Sequence, residues 1–370
     1  MKNVTLDESD LALIEALQVA PRAPWSALSK AVGVTPATAV RRWQRLLDDG
    51  AAWVTGTPGP GVWDASCVAY IDITCEPAAK VAVAEHLAAD PHALSVDLTS
   101  GGSDLFVTVA TPDLRSLARY LLERLDRMPG ITASRARIAT RLYTEGSSWR
   151  LGALSPDRLA TLQRWRTGGL GETGSFVSPG DRDILVNLGL DGRASYVALA
   201  EAAGVSTATA RRRTDRLIES GAVLLRTEMA APLAGWPVSV ILSGHAPAAR
   251  LYEVARTLGR LRPVRLCATL AGTPSLIVVA WLRTVDEVHR FELSLARGVA
   301  DLEIIERRVV LRTVKRMGRI LADDGRAVGM VPMDVWRDPV GGVAPDRVAT
   351  RSHEPAPRVS SCRWDTVNRR

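Results

Sequence analysis

The sequence predicts an α+β chain of two tandem units, each a small three-helix module followed by a domain of β-α-β-β-α-β order. Three observations carry that reading. First, Gly33-Val34-Thr35-Pro36-Ala37-Thr38-Ala39 returns as Gly204-Val205-Ser206-Thr207-Ala208-Thr209-Ala210, an offset of 171 residues. The same gapless offset pairs Asp10 with Asp181, Leu17 with Leu188, Arg22 with Arg193, Leu28 with Leu199, Arg42 with Arg213, Leu46 with Leu217 and Gly50 with Gly221, and it continues to Gly101 with Gly272 and Arg141 with Arg312. A repeat of fixed period sets the architecture before any local reading. Second, apolar residues open each unit at helical spacing, broken by turn glycines. Third, the period downstream alternates between strand and helix spacing.

Size and composition agree with several cores in one soluble chain, since 370 residues exceed what one core usually organises and 46% are apolar. Apolar runs are short and interrupted by charge, and Met1-Lys2-Asn3-Val4 lacks the order of a signal peptide, so no membrane span and a cytoplasmic location are expected. Cys67, Cys75, Cys267 and Cys362 show no CxxC spacing, and the histidines are dispersed; buried thiols rather than disulfides, no metal and no cofactor are expected. The net charge of +7 suits a polyanionic partner.

In the first module Leu11, Ile14 and Leu17 follow Asp7, Leu28 and Val32 follow Ser26, and Gly33 supplies a turn. Thr35 then caps a third helix with Pro36 at its first position, and Gly50 ends it. Ala39, Trp43, Leu46 and Leu47 make its apolar stripe, leaving Thr38, Val40, Arg41, Gln44 and Arg45 on or beside the other face, with Arg42 between. In the second copy Ser206 caps, Thr207 and Thr209 follow, Ala210, Thr214 and Leu217 point inward, and Arg211, Arg212, Arg213 and Arg216 lie outward. A second helix, a glycine turn and a basic third helix read as a helix-turn-helix, twice. The capped turns and outward residues of both third helices are therefore candidate contacts to double-stranded DNA, since the guanidinium fork clamps phosphate or guanine. Ala51 to Thr55 would begin a wing.

Downstream, Cys67 to Ile73 reads as a strand, Pro77 to Ala89 as a helix, Ala93 to Thr99 and Leu105 to Ala110 as strands, Leu114 to Met128 as a helix and Ile131 to Tyr143 as a strand. The second unit repeats this from Pro237 to Ile241, Leu251 to Leu261, Val264 to Leu270, Leu276 to Trp281, Val285 to Leu295 and Leu302 to Val314. This is a ferredoxin-like order, whose sheet has one face without helices. A partner sheet is the usual cover, so pairing of the two domains within the chain is expected.

These residues resemble the Lrp/AsnC family of leucine-responsive, feast/famine transcriptional regulators, in the fused double-length form of actinobacterial regulators. The resemblance runs over roughly residues 6–143 and 178–314. It implies winged helix-turn-helix domains at 1–56 and 178–231 that bind an operator, and effector domains at 64–144 and 235–316 that dimerise and bind a small molecule, usually an amino acid. A homo-oligomer of such chains is left open. The family's Gly-x-x-Asp hairpin maps onto Gly101-Gly102-Ser103-Asp104 and onto Gly272-Thr273-Pro274-Ser275, where serine replaces the carboxylate. Such an aspartate either orients an effector ammonium group or caps backbone N–H groups. Residues 145–177 read as a linker with a short helix from Ser155-Pro156-Asp157 and a glycine-rich end at 168–171; residues 317–370 read as an extension and, past Val331, a disordered tail.

An enzyme is the alternative. No phosphate loop, nucleophile elbow or HExxH is present. Sirohaem decarboxylases resemble this fold, yet His86, His92, His245 and His289 do not occupy equivalent positions of the two units, and a non-enzymatic regulator is expected.

Overall fold

The computed structural model describes residues 4–166 and 177–340; the glycine run 168–171, Cys362 and the chain beyond Val340 lie outside them. In the first unit α1 (Glu8–Val19) begins with a reciprocal cap between Asp7 and Asp10, at 2.8 and 3.2 Å. It is followed by α2 (Trp25–Val32) and α3 (Pro36–Asp48). Gly33 joins these two at a φ of 84°, a left-handed position that suits glycine alone among common residues. Then come β1 (Ala52–Pro58), the short α4 (Pro60–Asp64), β2 (Cys67–Cys75), α5 (Lys80–Ala88), β3 (Ala93–Thr99), β4 (Leu105–Thr111), α6 (Leu114–Arg119), β5 (Ile131–Thr144) and α7 (Pro156–Ala160).

The second unit runs α8 (Arg182–Leu190), α9 (Tyr196–Ala203), α10 (Thr207–Glu219), β6 (Val223–Met229), β7 (Val238–His245), α11 (Leu251–Leu258), β8 (Val264–Leu270), β9 (Leu276–Leu282), α12 (Asp286–Gly298) and β10 (Glu303–Arg316), with a hairpin of β11 (Arg319–Leu321) and β12 (Ala327–Met330) after it. The helix expected to reach Met128 leaves α geometry at Tyr120 and continues as a π-helical turn to Leu125. That i→i+5 spacing puts Tyr120 and Leu125, five residues apart, both against the sheet.

Strands β10, β3, β4, β2, β5, β8, β9 and β7 are neighbours in that order, and β7 returns to β10, closing an eight-stranded antiparallel barrel. The closure depends on the two longest strands. β5 pairs with β2 up to Ile138 and with β8 from Ala139; β10 pairs with β7 up to Val309 and with β3 from Val310. Each unit thus completes the other's sheet, and no edge remains in the ring. Helices α5 and α6 cover one outer face and α11 and α12 another, while Tyr70, Phe106, Ile241, Ala268 and Ile277 fill the inside. Within it Arg308 and its counterpart Arg137 both pair with Asp72, and Arg308 also reaches Ser243, the residue equivalent to Asp72, at 3.0 Å. The thiols of Cys67, Cys75 and Cys267 are free and buried.

The two helical modules are joined as closely as the sheets. The strand expected to open a wing forms as β1, but it pairs antiparallel with β6 of the other unit, every residue of both strands being buried. Beside this ribbon Arg22 donates to the carbonyls of Gly192 and Ala194 at 2.9 and 3.0 Å and lies 5.1 Å from the Tyr196 ring. Its counterpart Arg193 donates to Pro21 and Ala23 and lies 4.4 Å from the Trp25 ring. Burial, with Arg22 nearby, brings Arg193 down to about 10.

The region past Val331 departs from the composition-based expectation of disorder as far as it is described. Met333 and Val335 are buried against Leu94 and Ala110, because those two small or aliphatic positions leave an apolar surface that needs cover. Ala327 also donates to the Gly50 carbonyl at 2.8 Å, tying the extension to the first module.

Replacing Arg22 or Arg193 with Ala should lower stability in urea unfolding by ~1–3 kcal/mol each, since two carbonyls lose a charged donor. Lysine, a point donor without the fork, should recover less than half of the loss.

Candidate nucleic-acid interface and barrel cavity

On α3 the buried side chains are Ala39, Trp43 and Leu46, and on α10 they are Ala210, Thr214, Leu217 and Ile218. Thr35 and Ser206 cap these helices through the N–H groups of Thr38 and Thr209, and each cap hydroxyl also contacts the threonine hydroxyl, at 2.9 and 3.0 Å. Thr35, Pro36, Ser206 and Thr207 are exposed.

The arginines divide into two sets. Arg42 bonds Asp7 at 2.7 Å and Asp10 at 2.9 Å, and Arg45 reaches Asp10 at 2.5 Å. In the second module Arg216 bonds Asp181 at 2.7 Å and Arg213 donates to the Gly180 carbonyl at 2.8 Å. Asp10 and Asp181 are fully buried, so these four arginines fasten the third helix to the start of the first. Burial disfavours the Asp181 carboxylate, but hydrogen bonds from Arg216 and Ser178 outweigh it and hold it below the usual range. Asp7 is held low in the same way by Arg42.

The second set faces outward. Arg41 and its counterpart Arg212 are exposed and make no ion pair or hydrogen bond among the described residues. Arg211 is exposed beside Asp215 at 3.6 Å, whereas Val40, its counterpart, is an exposed apolar residue. Gln44 bonds Asp48 at 2.9 Å. The repeated Asp10/Asp181 and Arg42/Arg213 positions were visible in the sequence, but not that Asp10 receives Arg42 and Arg45 while Asp181 receives Arg216.

The Gly-x-x-Asp hairpins have a shared structural task. Asp104 accepts from the Cys75 N–H at 2.8 Å and pairs with Lys80 at 2.5 Å; Ser275 accepts from the Ala246 N–H, the equivalent group, at 3.1 Å. Ser103 is buried and accepts from Arg308 at 3.2 Å, while Gly101, Gly102, Gly272 and Thr273 are exposed. The capping role open for Asp104 in the sequence is the one occupied here.

A cavity of about 490 Å³ lies between barrel strands and the β1–β6 ribbon, with Thr57 and Arg226 of the ribbon in its wall. Tyr70 and Phe106, stacked 5.8 Å apart, form an apolar side with Leu266, Val279 and Trp281. Arg226 bonds Glu228 at 2.7 Å and Glu145 at 3.0 Å. Arg265 bonds both oxygens of Glu228, at 2.7 and 2.9 Å, and lies 3.8 Å from the Trp281 ring centre, but its buried Nη1 has no partner among the described residues. Arg316 lies 4.8 Å from the same ring and, among the described residues, its side chain donates only to Thr313, at 3.1 Å, which in turn donates to Asp97 at 2.6 Å. Burial penalises the Glu228 carboxylate, and Arg226 and Arg265 overcome this to hold it at about 2. At Asp97 burial wins over Arg316 and Thr313, pushing it up to about 6. The histidines are not among the residues lining this cavity.

Residues 6–47 and 180–218 match the AsnC-type helix-turn-helix domain, and residues 68–149 match the Lrp/AsnC ligand binding domain. An uncharacterised HTH-type transcriptional regulator of Pyrococcus horikoshii is 31% identical over 146 residues, 39% of this chain and 92% of that protein. The leucine-responsive regulatory protein of Salmonella typhimurium is 28% identical over 137 residues, 36% of this chain and 84% of that protein. Such relatives correspond to one unit. The crystal structure of the siroheme decarboxylase NirDL spans both, with a TM-score of 0.53 over 86% of this chain and 96% of that one; at 14% identity the likeness is one of fold. No helix among the described residues is long and apolar enough to cross a membrane.

Two charge substitutions test the electrostatics. Asp181→Asn should cost ~1–3 kcal/mol near neutral pH by leaving Arg216 without its carboxylate. A lowered carboxyl pKa stabilises above the unfolded value and loses that contribution as pH falls through the folded one, so the penalty should shrink toward pH ~3 in urea unfolding. Asp97 has the opposite sign: its raised pKa favours the neutral form, so its contribution is complete below about 4 and is lost as pH rises through about 6. Asp97→Asn should therefore raise the thermal midpoint at pH ~8 and leave it nearly unchanged at pH ~4.

Proposed function

The chain belongs to the Lrp/AsnC family of DNA-binding transcriptional regulators with a small-molecule-binding domain, and from that premise we propose that a single molecule supplies both DNA-reading helices to a sequence-specific operator. The observation that carries the proposal is the pairing of the two modules by the β1–β6 ribbon and the reciprocal Arg22 and Arg193 contacts. Two helix-turn-helix modules fixed to each other read half-sites separated by one helical turn, ~10 bp, or a multiple of it. The helices differ at Val40 against Arg211 and at Gln44 against Asp215, so the operator is an imperfect palindrome.

The residues proposed to meet DNA are the capped starts of α3 and α10, Thr35 and Pro36 with Ser206 and Thr207, together with Arg41, Arg211 and Arg212. Arg42, Arg45, Arg213 and Arg216 support this surface by holding the helices in place. The effector proposed is a small carboxylate-bearing molecule, amino acids being the class that family membership suggests.

Selection of bound fragments from a random DNA pool, followed by fluorescence anisotropy on the selected duplex, tests this. Arg212→Ala and Arg41→Ala should each weaken binding and reduce the salt slope by about one while leaving urea stability unchanged. Arg45→Ala and Arg216→Ala should lower stability as well. Equal affinity and slope in the Arg41 and Arg212 variants would remove these helices from the interface.

A further inference from the structure

The cavity beside the ribbon breaks the internal repeat. Arg226, Glu228, Arg265, Trp281 and Arg316 stand where the first unit has Thr55, Thr57, Leu94, Ala110 and Glu145, and Asp97 stands opposite Ala268 in the repeat. The first-unit counterparts Leu94 and Ala110 are packed under Met333 and Val335, so the fold at the equivalent place needs no buried charge. Burying guanidinium groups is costly unless their donors are met. Here the carboxylates do not meet them all: Glu228 and Glu145 are taken up by Arg226 and one arm of Arg265, whereas Nη1 of Arg265 is unpartnered and Arg316 has a single neutral acceptor.

We propose that this cavity binds an organic carboxylate with a flat apolar body, the carboxylate seated between Arg316 and Arg265 and the body against Trp281, Phe106 and Tyr70. The volume is that of a pocket for one small ligand. An eight-stranded barrel leaves room inside for side chains or one such molecule. The planar fork of arginine matches a carboxylate in two bonds, and the ring faces suit a flat apolar group. Asp97, linked to Arg316 through Thr313, repels an anion when ionised and stops doing so when neutral. Its surroundings from β3, β10 and the facing strands also include Arg265, Arg226, Arg141, Glu145 and Glu228, of which Glu228, held at about 2, stays ionised over the range in which Asp97 titrates. Assignment of this cavity as the effector site rests on the regulator reading; the existence of the binding site does not.

Calorimetric titration of the full chain with benzoate, 2-naphthoate and indole-3-propionate, each beside its neutral amide, tests the proposal. At least one acid should bind ten-fold or more tightly than its amide. Arg316→Met should weaken that binding ten-fold or more, and Asp97→Asn, with its fold checked by circular dichroism, should tighten it near neutral pH. L-Tryptophan provides a further arm: tighter binding than indole-3-propionate, lost in Asp97→Asn, would show that Asp97 also reads an ammonium group in the same site. Binding of no acid, equal binding of acid and amide, or unchanged affinity in Arg316→Met would overturn the proposal. Anisotropy with the selected operator, with and without the bound acid, separates the two readings: binding in the cavity with no change in DNA affinity keeps the site and rejects its role as effector site.

Discussion

The structure depends on the crossing of β5 and β10, each of which leaves its own unit halfway along and pairs with a strand of the other. Neither sheet could be covered without it. A four-stranded sheet with helices on one face has an apolar second face, and closing two such sheets into a ring buries both and removes their edges together. Because the two units are one chain, the partner is always present, and closure requires no second molecule. The same covalent link fixes β1 against β6 and so places the two helical modules against each other.

Fusion also frees the two halves to differ. In a symmetric pair of chains, each residue near the axis appears twice, and an arginine cluster there would face its own copy. One chain can instead carry Arg226, Arg265 and Arg316 in its second unit and Thr55, Leu94 and Glu145 at the equivalent positions of its first, with Leu94 and Glu145 lining the same cavity as the arginines. The contrast with Arg22 and Arg193 is instructive. Those two are kept in both units and make reciprocal contacts that hold the halves together, whereas the cavity arginines appear in one unit and surround space. Arg22 repeats as Arg193, whereas Arg226, Arg265 and Arg316 have no arginine at the equivalent first-unit positions.

Much of the fold was legible because it follows from local periodicity. The boundaries of β3 and β8 were read to the residue, and the capped glycine turns at Gly33 and Gly204 stood out by composition. What the sequence withheld were encounters between distant residues. Arg42 and Arg45 have the helical positions of DNA contacts, and only the packing of α3 on α1 turns them toward Asp7 and Asp10. Asp104 looked equally able to hold a ligand or a backbone N–H, and the structure shows the second partner, the Cys75 N–H, which lies 29 residues away in the chain. Ala93 to Thr99 was legible as a strand, but not that closure of the barrel turns its Ser95 and Asp97 into the wall of a cavity.

The position of the cavity gives it a physical route to the helical modules. Its wall includes Thr57 of β1 and Arg226 of β6, the two strands that join them, and Glu228 on β6 holds both Arg226 and Arg265. A carboxylate seated at Nη1 of Arg265 would meet a guanidinium whose Nη2 is already held by Glu228, so ligand and β6 would compete for the charge of one side chain. Such competition alters DNA affinity only to the extent that the ligand prefers one arrangement of the ribbon over another, and linkage then requires DNA to change ligand affinity by the same factor. The hairpins at Asp104 and Ser275 are bonded to the Cys75 and Ala246 N–H groups and, at Asp104, to Lys80 of α5, and none of these partners belongs to the ribbon. Of the two places where a ligand could be sought, the ribbon-side cavity is the one with residues of β1 and β6, Thr57 and Arg226, in its wall.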